Sequence, residues 1–146
     1  MQHFSSCESK MPWARFEWPM AISCVALIVP AFLLQSPSIG AVTITSLFSD
    51  AIYTGKSSIC HPLDRSMAKV APVLVSSRIL NSVGWIGIPT MILPPVLCYA
   101  GSCISVARHK VRAYYTWHIL WHMGCVYSGS LLAFIESRQK HLEAIP

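Results

Sequence analysis

His118 and His122 stand four residues apart in the segment from Tyr114 to His122, YYTWHILWH. On an α-helix that spacing puts both imidazoles on one face, one turn apart. It is the spacing by which a single helix offers two nitrogens to one metal ion. The surrounding segment is apolar, where ionisable side chains are rare and usually functional. The same spacing also suits two histidines that hydrogen-bond across helices, or that lie at a membrane interface beside Trp117 and Trp121.

A third histidine, His61, is expected to join them. His3 and His141 fall in the tails and His109 in a basic loop, where solvation accounts for them. Three imidazoles around one point leave a fourth tetrahedral position for water, the pattern of catalytic zinc. Zinc lowers the pKa of such a water to about 7. Asp64, three residues after His61, is placed to orient that water or shuttle its proton. It equally suits a second role, holding a ligand imidazole, or a third, capping the helix that follows Pro62-Leu-Asp-Arg-Ser. Ser57 stands one turn before His61 on the same face, to hydrogen-bond an oxyanion or a ligand, or simply as a small polar residue.

Ser57-x-x-x-His61, the following Asp64 and His118-x-x-x-His122 together resemble the signature of the CREST superfamily. That group comprises alkaline ceramidases, progestin/adiponectin-type (PAQR) receptors and post-GPI-attachment lipid hydrolases. The Trp121-His122 pair is similar to a WH pair often seen there. The resemblance covers roughly positions 57 to 122. It implies zinc held by His61, His118 and His122 near the cytosolic face, with Asp64 and Ser57 as catalytic neighbours. The implied activity is hydrolysis of a lipid amide or ester bond. Members have seven spans, and their Asp stands further along, inside the next helix.

The elements that must position these residues are membrane helices. Only 12% of the 146 residues are charged and 53% are hydrophobic, and the mean hydropathy is +0.50. Soluble domains carry roughly 25% charged residues. The composition excludes an ordinary soluble globule and a disordered chain, and points to one all-α polytopic membrane domain over residues 1–146. Apolar runs place five spans near 19–36, 38–61, 66–87, 88–107 and 113–135. The first reads as a retained helix rather than a cleaved leader, with Trp13, Phe16 and Trp18 as an aromatic belt. Gln35 to Gly40 reads as a turn. Gly84, Gly87 and Pro89 mark a tight connection between the third and fourth spans.

The net charge is +5, but no Lys/Arg run interleaves with aromatics, so no nucleic-acid partner is expected. The basic residues act as topology signals instead. In the five-span arrangement Lys10, Arg15, Lys56, Arg65, Lys69, Arg108, Lys110 and Arg112 share one side, against Arg78, Arg138 and Lys140 on the other. That bias puts the N-terminus in the cytoplasm or its topological equivalent. Asp50 and Arg78 then both fall near the bilayer midplane, where an unpaired charge costs a few kcal/mol or more. They are expected to pair or to share a polar cavity, unless Arg78 lies nearer a membrane surface. Cys7, Cys24, Cys60, Cys98, Cys103 and Cys125 form no CxxC, so neither a disulfide framework nor a cysteine-based zinc site is expected.

Three functions fit this pattern. The first is a zinc-dependent intramembrane hydrolase with membrane lipid as its partner. The second is a non-catalytic accessory subunit of a larger membrane protein complex. The third, haem b held between spans, needs His61 to oppose His118 or His122, because the last two share a face.

Overall fold

The computed structural model describes residues 15–56 and 58–144, and every element among them is helical. Pro19 stands in the first turn of α1, Trp18–Ala26, where a missing N–H costs nothing. The chain yields at Leu27 and continues as α2, Ile28–Leu33. The interruption follows from Pro30, which removes the donor that would bond back to Ala26. Gln35 adopts a positive φ of 49°, and extended Ser36 with Pro37 then starts α3, Pro37–Ser46. This is the turn expected from Gln35 to Gly40.

From α3 the chain widens into a π-helical segment, Leu47–Ile52. Gly55, with φ of 74°, closes the turn after it. The second helical unit therefore stops at Ile52 rather than at His61. His61 lies instead in the first turn of α4, Cys60–Val83. That is a correction to the expected boundary. The run's average hydropathy hides a turn that depends on a single left-handed glycine.

Gly84, at φ of 72°, ends α4. A 3₁₀ turn, Gly84–Ile86, and a second π-helical segment, Ile88–Ile92, lead into α5, Leu93–Ala107. His109, with φ of 53°, reverses the chain into α6, Val111–Glu143. The unit Ile88–Ala107 has the boundaries expected for the fourth span. α6 runs eight residues past the expected 135 and takes the first part of the polar tail into the helix.

α6 is the central element. It packs on α5 along its length and also on α1, α2 and α4, while α3 packs on α4. One core cluster joins Ala31, Leu34, Ile39, Ile79, Met91 and Leu132. A second joins Met20, Cys24 and Tyr114 next to the polar site. Glycines set the closest approaches. A Cβ on Gly101 would stand 2.6 Å from the Trp117 ring, and one on Gly129 would stand 2.5 Å from Pro30 Cβ.

The outside of the bundle is apolar. Phe32 is 81% exposed and Trp85 80%, with Ile22, Ile28, Val73, Leu97 and Phe134 also open. Two helices, Ile88–Ala107 and Val111–Glu143, are long and apolar enough to cross a membrane, and Trp18–Leu33 is a shorter apolar helix.

Arg78 does not meet Asp50. Its Nε donates to Glu136 Oε1 at 3.1 Å and its Nη2 to Oε2 at 2.5 Å. A third donor, Nη1, reaches the Leu34 carbonyl at 3.4 Å. The partner lies on the extension of α6, a stretch read from sequence as a solvated tail.

Candidate metal centre

The first π-helical segment carries Asp50 toward α6. Asp50 Oδ2 lies 3.1 Å from His118 Nε2 and 4.0 Å from His122 Nε2. Both histidines project from one face of α6, as their spacing requires, with ring centroids 4.8 Å apart. Tyr114 and Trp121 pack against the His118 ring at 5.1 and 5.0 Å. The Asp50 side chain is 9% exposed and that of His122 1%.

Each imidazole is held from behind by a serine. Ser102 Oγ lies 3.0 Å from His118 Nδ1, and Ser23 Oγ lies 3.0 Å from His122 Nδ1. The Ser23 hydroxyl donates its only proton to the Met20 carbonyl at 2.7 Å. Toward His122 it can therefore only accept, so Nδ1 carries the hydrogen. His122 Nε2 is left with a lone pair, buried and without a hydrogen-bond partner. An unsatisfied buried nitrogen 4.0 Å from a carboxylate oxygen is a place for a bound water or a cation. Tying the far ring nitrogen to an oxygen is also how metal-ligating histidines are oriented.

Cys24 completes the surroundings. One ligand atom each from Cys24, Asp50 and His122 lie within 4.8 Å of one another, a group able to hold a metal ion. The contact of Cys24 Sγ with His122 is to Nδ1, at 3.7 Å.

His118 and His122 are thus brought together, and His61 is not brought to them. His61 Nδ1 lies 2.8 Å from Ser49 Oγ and its Nε2 lies 2.7 Å from the Lys56 carbonyl. Asp64 is buried and accepts from Ser46 Oγ at 2.6 Å and from Thr45 Oγ1 at 3.4 Å. It does not cap α4, whose N-cap position is Ile59. Ser57 lies outside the described residues. The residues missed from sequence as partners of the histidines are Asp50, Cys24, Ser23 and Ser102. Asp50 announced itself as a carboxylate inside an apolar run, but Cys24 gave no signal beyond its type.

A cavity of about 250 Å³ is lined by Asp50, His61, Asp64 and His118, with Ser49 and Ser102. So His61, Asp64 and His118 do face one space. A second cavity of about 240 Å³ is lined by Leu27, Val42, Val75, Ile79, Met91 and other apolar residues, with His122 at its wall. The two share Ala68, Tyr99 and Trp121.

Comparison of the chain with protein-family models, with curated proteins and with solved structures finds no match in any of the three.

Proposed function

We propose that the chain is a zinc-dependent hydrolase embedded in the membrane, acting on a lipid amide or ester bond. Its metal ligands are Asp50, His118 and His122. The observation that carries this reading is the meeting of two Nε2 atoms at Asp50 Oδ2, one of them buried and unpartnered. Two histidines and a carboxylate are a ligand set of catalytic zinc sites, which keep a position open. When bound, zinc supplies a Lewis acid and an activated water at neutral pH.

In this reading Asp50 takes the place first given to His61. Ser46-x-x-x-Asp50 repeats the spacing of Ser57-x-x-x-His61 one helical unit earlier. Asp64 lies inside the next helix, α4, and accepts from Ser46. Asp64 faces the polar cavity as proton carrier, and Ser102 and Ser23 keep the imidazoles turned. Tyr99 and Trp121 divide the polar cavity from the apolar one, which suits a substrate with a carbonyl at one end and a hydrocarbon chain at the other. The apolar outer faces support a multi-pass arrangement with every helical unit in the bilayer, and the Lys/Arg bias supports a cytoplasmic N-terminus.

The test is metal content by mass spectrometry on detergent-purified protein, followed by turnover of fluorescent lipid amides and esters. One zinc per chain, lost in Asp50→Ala and His118→Ala and kept in His61→Ala, is expected. A folded wild-type chain without stoichiometric metal would remove the zinc-hydrolase reading.

A further inference from the structure

We propose that Ser49 is a nucleophile activated by His61, a second reactive centre in the polar cavity that needs no metal. This goes beyond the zinc reading, in which neither residue is a ligand. The Lys56 carbonyl can only accept, so the His61 Nε2 that lies 2.7 Å from it carries the ring hydrogen. In the neutral imidazole Nδ1 is then a lone pair, and the Ser49 hydroxyl 2.8 Å away is its donor. Nucleophile, base and an acceptor that orients the base stand in sequence, the arrangement by which weak hydroxyls are activated.

Position supports the same role. Ser49 lies on the π-helical segment Leu47–Ile52, and such segments are frequent at functional sites. Both side chains are buried, Ser49 at 6% and His61 at 5% exposure, yet both line the polar cavity.

The electrophile that fits is an uncharged carboxylic ester. The cavity shares the Tyr99 and Trp121 wall with the apolar one, where a charged group would be desolvated. Ser49 Oγ attacks the carbonyl carbon while its proton passes to His61 Nδ1. The ester C–O bond breaks, and the departing alcohol takes that proton. Water then attacks the Ser49 acyl ester, gives its proton to His61 in turn, and releases the acid with Ser49 restored.

An alkyl fluorophosphonate tests the pair directly. Ser49 Oγ displaces fluoride from phosphorus, and the proton leaves through His61 as hydrogen fluoride, so a stable phosphonyl ester remains. The full chain in detergent is incubated with the probe in the presence of a chelator, digested and read by mass spectrometry. One phosphonyl adduct on the Ser49 peptide is expected, absent in Ser49→Ala. It is expected to form roughly a hundredfold more slowly in His61→Gln, the size of a general-base contribution. Because His61→Gln can disturb folding, Ser49→Cys supplies a second reading. Its alkylation by iodoacetamide is expected to be fast with His61 and slow in the double variant.

No adduct on folded wild type, an adduct on a different serine, or equal rates with and without His61 would each overturn the proposal. The chelator separates the two readings. Labelling without stoichiometric zinc leaves this proposal standing and removes the metal one, and zinc without labelling does the reverse.

Discussion

Asp50 Oδ2 faces the Nε2 atoms of both His118 and His122, at 3.1 and 4.0 Å, although Asp50 lies on the segment after α3 and the histidines lie on α6. One carboxylate oxygen therefore joins the middle of the chain to its last helix. Asp50→Asn keeps the shape and removes the charge. Zinc affinity is expected to fall by at least about a hundredfold, the upper end for loss of a mere supporting hydrogen bond. Competition against a fluorescent zinc chelator measures it. Unchanged affinity would remove Asp50 from the ligand set.

Ser23 fixes the tautomer of His122 because its own proton goes to the Met20 carbonyl. Ser23→Ala leaves the His122 Nδ1 hydrogen without its acceptor and lets the ring turn. Zinc affinity is expected to drop about ten- to a hundredfold while the protein stays folded. The same competition titration, beside a thermal unfolding curve, separates the local effect from general destabilisation.

Whether the proposed centre is open or closed turns on Cys24. Its Sγ contacts His122 Nδ1 at 3.7 Å, the nitrogen turned toward Ser23. With three ligands the site keeps a position for water, and with four it is structural. Cys24→Ser is expected to retain stoichiometric zinc and turnover. Loss of zinc in this variant would make the centre a closed structural site.

The legible parts of this site were local. The His118 and His122 face follows from a spacing of four on one helix. The Ile88–Ala107 unit was legible as an apolar run after the connection marked by Gly84, Gly87 and Pro89, although its ends carried the softest signals. Asp50 was legible as a charge needing a partner, but Arg78 was the wrong one. The partner depends on the rotation of the second unit, and the π-helical segment Leu47–Ile52 resets that rotation in a way no i, i+4 count registers. Ser23 and Ser102 reach the histidines from other helices, 99 and 16 residues away in sequence, so nothing local marks them. The His61 misplacement came from the turn at Gly55, where one positive φ ends a helix inside an apolar run.

Two glycines in helices are expected to respond oppositely to alanine. A Cβ on Gly129 meets Pro30 Cβ at 2.5 Å, where α6 crosses α2. Neither backbone can give way cheaply, so Gly129→Ala is expected to cost about 1–3 kcal/mol. Nothing lies within 4 Å of a Cβ on Gly40, inside α3. Gly40→Ala is expected to stabilise by roughly 0.5–1 kcal/mol, because glycine weakens a helix interior. Thermal unfolding in detergent reads both, and a shared sign would contradict the packing described for α2 and α6.

Arg78 and Glu136 tie α4 to the extension of α6 by two parallel hydrogen bonds, with Ser82 Oγ also reaching Glu136 at 3.5 Å. The Arg78 side chain is 40% exposed and that of Glu136 20%. Breaking a fully buried pair costs about 3–5 kcal/mol, and exposure of the guanidinium brings the expected loss below that range. Arg78→Ala is expected to destabilise and to fray α6 beyond Glu136, which amide exchange of residues 136–143 reads directly. Arg78→Lys keeps the charge but loses the two-pronged geometry, so it is expected to recover only part of the loss. In a double-mutant cycle with Glu136→Gln the two single losses are expected to add to more than the double loss. Strict additivity would mean that α6 holds its extension through packing alone, and the pair would then be a consequence of the helix rather than a cause of it.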